Sequence, residues 1–381
     1  MALVGNLARR TVALSIAAAA LAALPATVQA KTITVAPTGN TQSIQNAVNA
    51  AAPGDTIAVS NGTYSGPTVN VEKNNITIRG SRSAVINAAG HRYAITVGHA
   101  DASGNLNPDP SCATTTPTYA VNNFTLSGLT IRNADDTGIF MMGVNHLRVT
   151  GGQYLNNAEY GIFPRCSKDG LIDHNTGGGG NDATIYVGVD DGIRVEDNVL
   201  TNSTLAIELE NTQNSFVRRN LTTNNTVGIF VIVLPGLPRN STNFALIEDN
   251  VVIANNRPNP FPQVCDAGGL PAGCGPFTDD LQLLPSGSGI LNVGGHDVTI
   301  RQNAVTFNHT AGIGAVQNPI TGDTSTRTIV KNNVVLNNGT APDPRTQGAG
   351  DLLYLDDPGN GSCFTDNIHT TEFFPFGPPA C

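Results

Sequence analysis

Thr137-Gly138-Ile139, Tyr160-Gly161-Ile162, Ala183-Thr184-Ile185, Leu205-Ala206-Ile207 and Val227-Gly228-Ile229 repeat one short phrase, a small residue followed by Ile. The small residues fall at 138, 161, 184, 206 and 228, so the steps are 23, 23, 22 and 22 residues. The phrase returns as Ser288-Gly289-Ile290 and Ala311-Gly312-Ile313, again 23 apart, with fainter copies at Ala94-Ile95 and Gly350-Asp351-Leu352. Between copies lie short β-branched runs and turn residues, with no helix in the repeat. A fixed period of about 20 residues built from short strands predicts a β-solenoid.

Each full repeat holds three strands. One coil reads Asp191-Gly192-Ile193-Arg194-Val195-Glu196-Asp197-Asn198, then Val199-Leu200-Thr201-Asn202, then Ala206-Ile207-Glu208-Leu209-Glu210. The Asn after the first strand recurs as Asn175, Asn198, Asn220, Asn250, Asn303, Asn333 and Asn367. Asn tolerates left-handed backbone and can hydrogen-bond to the next coil, so this column reads as structural. Low charge fits the same picture: only 13% of residues are charged, and stacked like charges would repel. Before the repeats, Thr32-Ile33-Thr34-Val35 reads as a strand and residues 43–52 as a helix, with Ile44, Ala47, Val48 and Ala51 on one face. An amphipathic helix there is expected to cap the open end of the solenoid.

Residues 1–30 read as a leader: Arg9 and Arg10, an apolar stretch from Thr11 to Leu24, and Val28-Gln29-Ala30 before a cut after Ala30. The expectation is an exported chain, periplasmic or extracellular, without membrane insertion. The net charge is −9, and −11 once Arg9 and Arg10 leave, which disfavours nucleic acid as a partner. Cysteines 112, 166, 265, 274, 363 and 381 make an even count, which in an exported chain favours disulfides over a zinc site. Cys265–Cys274 and Cys363–Cys381 are the nearest pairs, leaving Cys112 with Cys166, but sequence leaves the pairing open.

The opening run Ser43-Ile44-Gln45-Asn46-Ala47-Val48, Pro53-Gly54-Asp55-Thr56-Ile57 and Asn61-Gly62-Thr63-Tyr64 resembles that of exported right-handed parallel β-helix proteins of the pectate-lyase-like superfamily. The later coils resemble the parallel β-helix repeat. The stretch from Tyr160 to Pro238 is similar to a group of such proteins of unknown function. The resemblance covers nearly all of residues 31–381 and implies an all-β fold, a single-stranded right-handed parallel β-helix with an N-terminal capping helix. Lyases, hydrolases, esterases, epimerases and inert spikes share this fold, so activity must come from a site.

Alternation along the strand gives that search a frame. With Ile pointing in, the outward pairs are Phe140 and Met142, Phe163 and Arg165, Tyr186 and Gly188, Glu208 and Glu210, and Phe230 and Ile232. Insertions at 98–121, 233–242, 257–288 and 340–349 flank this one sheet. They are expected to wall a groove floored by Phe140, Phe163, Tyr186 and Phe230, suited to stacking on a polysaccharide. The rival expectation is that they simply cover an apolar face.

Glu208 and Glu210 share one face and suit carboxylate catalysis, with Arg165 two coils away to neutralise a uronate. Asp190 and Asp191 at the strand's exit are candidate Ca²⁺ ligands; no other cofactor is expected. Asp173 and His174 form a second candidate pair, though turn residues are the plainer reading. Tyr160-Gly161-Ile162-Phe163-Pro164-Arg165 is similar in frame to the Asp-Pro-His segment of alginate C5-epimerases, but Phe163 and Arg165 stand at the Asp and His places. Leu171-Ile172-Asp173-His174 resembles a pectate-lyase segment that carries Trp where Leu171 stands. The expected function is polysaccharide binding, with lyase, epimerase or hydrolase chemistry open. The alternative is a non-enzymatic structural or partner-binding module.

Overall fold

The computed structural model describes residues 29–98, 120–265, 273–346, 348–379 and 381 of the 381-residue chain. The leader and most of the 98–121 insertion therefore lie outside the described residues. Successive coils feed three parallel sheets, of twelve, ten and eleven strands among the described residues. In the coil quoted above, Arg194–Glu196 joins the first sheet, Val199–Thr201 the second and Leu205–Glu210 the third.

The repeated phrase is the third strand of the coil. Ile95, Ile139, Ile162, Ile185, Ile207, Ile229, Ile290, Ile313 and Leu352 pair in succession, and every one is buried. A slip of one residue would turn this whole column outward, so burial fixes the register. The column runs through one continuous core along the coil.

The Asn column forms a buried ladder. Asn175, Asn198, Asn220, Asn250, Asn303 and Asn333 each take the next Asn's side-chain oxygen on their own backbone N–H. Asn itself is not the left-handed residue, as the sequence suggested. That place belongs to the residue before it: His174, Asp197, Arg219, Asp249, Gln302, Asn332 and Asp366 all have φ between 54° and 57°. The left-handed turn aims the Asn inward, and ladder bonds offset the roughly 1–2 kcal/mol that such backbone costs a non-Gly residue. A second ladder, Asn225, Asn255, Asn308, Asn338 and Asp351, runs at the next corner.

The expected helix is observed as α1 (Gln42–Ala50), with Ile44, Ala47 and Val48 buried in the core. Among the described residues no helix is long and apolar enough to cross a membrane. Disulfides join Cys265 to Cys274 and Cys363 to Cys381, the nearest pairs in sequence. Cys166 is also disulfide-bonded, while Cys112 lies outside the described residues. Such bonds suit an oxidising compartment.

Candidate functional site

On the third sheet both faces are buried. All six residues of Leu205–Glu210 and of Val227–Ile232 are shielded from solvent. Phe140, Phe163, Tyr186 and Phe230 are only 1%, 7%, 5% and 2% exposed. Phe140 meets Phe163 edge-on at 5.0 Å, and Phe163 meets Tyr186 at 4.3 Å between ring centroids. With Met142, Ile232, Leu281 and Leu284 they form a second hydrophobic core. The expected open aromatic floor is thus corrected: these four rings are packed cover, not a stacking platform. Each aromatic ring that leaves water removes about 150–250 Å² of surface, so ordering a loop over the column is favourable.

A cavity of about 450 Å³ is lined by Tyr160, Asp182, Glu208 and Glu210 on the sheet side and by Phe277, Asp279 and Asp280 on the loop side. Phe277 is 49% exposed, so the aromatic surface offered to a ligand is on the roof. Asp280 also borders a second, apolar cavity of about 240 Å³ that includes Phe230, Leu291 and Leu353. Gly314 makes room there, since a Cβ would sit 2.9 Å from Leu291.

The carboxyl groups define the chemistry. Glu208 and Asp182 line the cavity together, and the charge of Asp182 bears on Glu208. Glu208 Oε2 and Asp182 Oδ1 have no hydrogen-bond partner, although both side chains are buried. Burial of such carboxyls favours their protonated forms. The Tyr160 hydroxyl faces Asp182 and favours its ionised form. Tyr186 leans along its strand over Gly188, where a Cβ would come 2.3 Å from the ring, and its hydroxyl favours the ionised form of Glu210 in the next coil.

Burial, reinforced by neighbouring carboxylates, holds Glu208 and Asp182 well above the usual carboxylate range. Glu210 is pushed up to about 7, chiefly by burial, against the pull of the Tyr186 hydroxyl and Arg165. Burial and then Asp279 raise Asp280 to about 6. A carboxyl raised in the folded state holds a proton that the unfolded chain releases. Its contribution is complete below the unfolded value of about 4 and is lost as pH rises through the folded value. Melting temperature is therefore expected to fall between about pH 5 and pH 8, and Glu210→Gln to flatten that slope. Asp197, Asp297 and Asp351, held low by their partners, titrate below this window. Melting curves across that range check the prediction; a rise with pH would contradict it.

The other expected site residues are dispersed. Asp190 is fully buried and accepts from the Ser167 backbone N–H at 2.5 Å. Asp191 instead binds the Gln213 and Asn214 amides. The two carboxylates thus turn to separate networks. Among the described residues no three His, Cys, Asp or Glu side chains are grouped to hold a metal ion. Asp173 pairs with Arg148 at 3.0 Å and with His174 at 2.8 Å on the first sheet, apart from the cavity. His174 is a left-handed turn residue there.

Outward alternation found Glu208 and Glu210 but missed Asp182, Tyr160, Asp279 and Asp280. A signal for Asp182 was present. Two residues before the small residue of three successive repeats stand Asp136, Glu159 and Asp182, an acidic column in a chain poor in charge. Asp279 and Asp280 belong to an insertion outside the period, where no register points at the sheet.

Residues 91–234 match the family model described as right handed beta helix region. No curated protein shows significant sequence similarity to the chain. Among solved structures, the A-module of the Azotobacter vinelandii mannuronan C-5 epimerase AlgE6 superposes with a TM-score of 0.62 at 14% identity, over 87% of this chain and 84% of that one. A 1,3-alpha-1,4-beta-D-galactose-4-sulfate-3,6-anhydro-D-galactose-2-sulfate 4 galactohydrolase superposes with a TM-score of 0.51 at 12% identity, over 91% and 92%. Such identities speak for the fold alone. With three parallel sheets, a register that repeats coil by coil and these likenesses, the chain folds as a right-handed parallel β-helix.

Proposed function

We propose that this is an exported polysaccharide-binding enzyme that hydrolyses a glycosidic bond by carboxyl acid–base chemistry. The observation that carries the proposal is the buried Asp182–Glu208 pair at the wall of an open cavity. Residues 31–381 form its single domain, α1 caps the first coil, and the 233–242, 257–288 and 340–349 insertions shape the roof. Glu208, which burial keeps protonated, supplies the acid: its proton passes to the leaving glycosidic oxygen as the C–O bond breaks. Water completes the glycosyl carbon and gives its proton to Glu210, which Tyr186 orients. Arg165 acts on Glu210 through its charge. Phe277 and Tyr160 offer ring faces to a sugar. Lyase or epimerase chemistry on a uronate is less well supported, because among the described residues the cavity's lining has carboxyl groups and no cation.

The test is a screen of soluble polysaccharides with the mature chain, with and without Ca²⁺, reading both binding and release of reducing ends. New reducing ends from at least one glycan, lost in Glu208→Gln, are the expected result. Binding without cleavage of any glycan would reject hydrolysis. A blank in both readouts would favour the non-enzymatic module, which the burial of the aromatic column also suits.

A further inference from the structure

We infer that the cavity selects glycans carrying free, protonated amino groups. The inference rests on the polysaccharide reading above and names its substrate class. Among the described residues, Asp182, Glu208, Glu210, Asp279 and Asp280 all line the cavity, and no Lys or Arg does. Several acids elsewhere sit beside a cation. Glu196 meets Arg218 at 3.0 Å and Arg219 at 2.9 Å, Glu248 meets Arg301 at 2.6 Å, and Asp343 meets Arg345 at 3.2 Å. None of the cavity's acids has such a partner in the lining among the described residues.

The hydrogen-bond inventory points the same way. Glu208 Oε2 and Asp182 Oδ1 are buried acceptors without a donor. A ligand that satisfies such a lining must bring donors and positive charge. An ammonium group brings three donors and one charge; an acetylated amine brings one donor and no charge. Sulfated or uronic glycans bring negative charge into a cavity already short of cations, and the chain's net charge of −9 adds to that repulsion. The acids surround about 450 Å³ without forming a metal-sized cluster among the described residues. That volume suits a sugar unit with its substituent rather than a bare ion. Phe277, half exposed at the rim, can pack on the sugar's apolar face while the amine reaches inward.

The experiment compares three probes of equal length by calorimetry on the mature chain: a glucosamine oligomer, its N-acetylated counterpart and a neutral glucose oligomer. At about pH 6 primary amines keep their proton. The glucosamine oligomer should bind at least about tenfold more tightly than either other probe, the difference made by one charge-assisted contact. The preference should shrink as salt is added. Asp280→Asn, on the roof and outside the acid–base pair, should weaken glucosamine binding several-fold and leave the neutral probe unchanged. Equal affinity for the three probes, or Ca²⁺ binding in the cavity with no glucosamine binding, would overturn the inference. A reducing-end assay on the same probes separates the two readings. Tight glucosamine binding without cleavage leaves the selectivity standing and removes the hydrolysis, whereas cleavage of the neutral oligomer does the reverse.

Discussion

Glu208→Gln should cut turnover of a cleaved glycan by about 100- to 10 000-fold, the range in which one positioned proton donor acts. Its KM should barely move. The reason lies in charge. Burial keeps Glu208 protonated and therefore uncharged. Gln in its place is also uncharged and still donates a hydrogen bond, but it has no proton to give. Asp182→Asn should behave alike, and the double variant should cost little more than either single one, because the two act as a unit. The pH profile adds a second check. Glu210 must be ionised to take a proton from water, so the rate should climb through about pH 7 and fall only when Glu208 loses its proton. A KM that rises while kcat holds would assign these carboxyls to binding alone.

Asn220→Ala should be the most damaging single change to the scaffold. Asn220 Oδ1 accepts from the Asn198 backbone and side-chain amides at 3.0 Å each. Its Nδ2 donates to the Val195 carbonyl at 2.9 Å, to Arg218 and to Asn250. Truncation leaves at least one buried N–H and one buried carbonyl without partners, each costing about 1–3 kcal/mol. A total of about 3–5 kcal/mol consumes much of the 5–15 kcal/mol that typically separates folded from unfolded states. Asn214→Ala, which removes one exposed bond to Asp191, is the control and should cost well under about 1 kcal/mol. Denaturant midpoints of the two variants, and protease sensitivity of the coils around residue 220, measure the difference. A small effect in Asn220→Ala would mean that water replaces the amide.

The repeat phrase made the fold readable because one residue per coil, the inward Ile, is constrained by a core that every coil shares. The phase of that Ile also placed Glu208 and Glu210 on the outer face, where they are found. Whether that face was open could not be read from it. Phe163 and Tyr186 carry the same pattern in a groove floor as in a covered core, and the distinction lies in loops that obey no period. Asp279 and Asp280 show this most clearly. They reach the cavity because Asp279 caps a short 3₁₀ turn, Asp280–Leu283, accepting from the Leu281 N–H at 2.9 Å. The turn is local; its position over Glu208 is set by the roof's packing of Leu281 and Leu284 on the sheet.

The Asn ladder keeps its rungs joined although the chain between them varies widely. Successive members are separated by 23, 22, 30, 53, 30 and 34 residues. The excess leaves the stack and returns to it without disturbing the rung above or below. Scaffold and roof are consequently separable parts of one molecule: the rungs supply fixed anchor points, and the excursions between them can be shortened, lengthened or exchanged. Grafting a foreign excursion between Asn250 and Asn303 would recast the recognition surface over Glu208 and Glu210 while the backbone presenting those carboxyls stays in place.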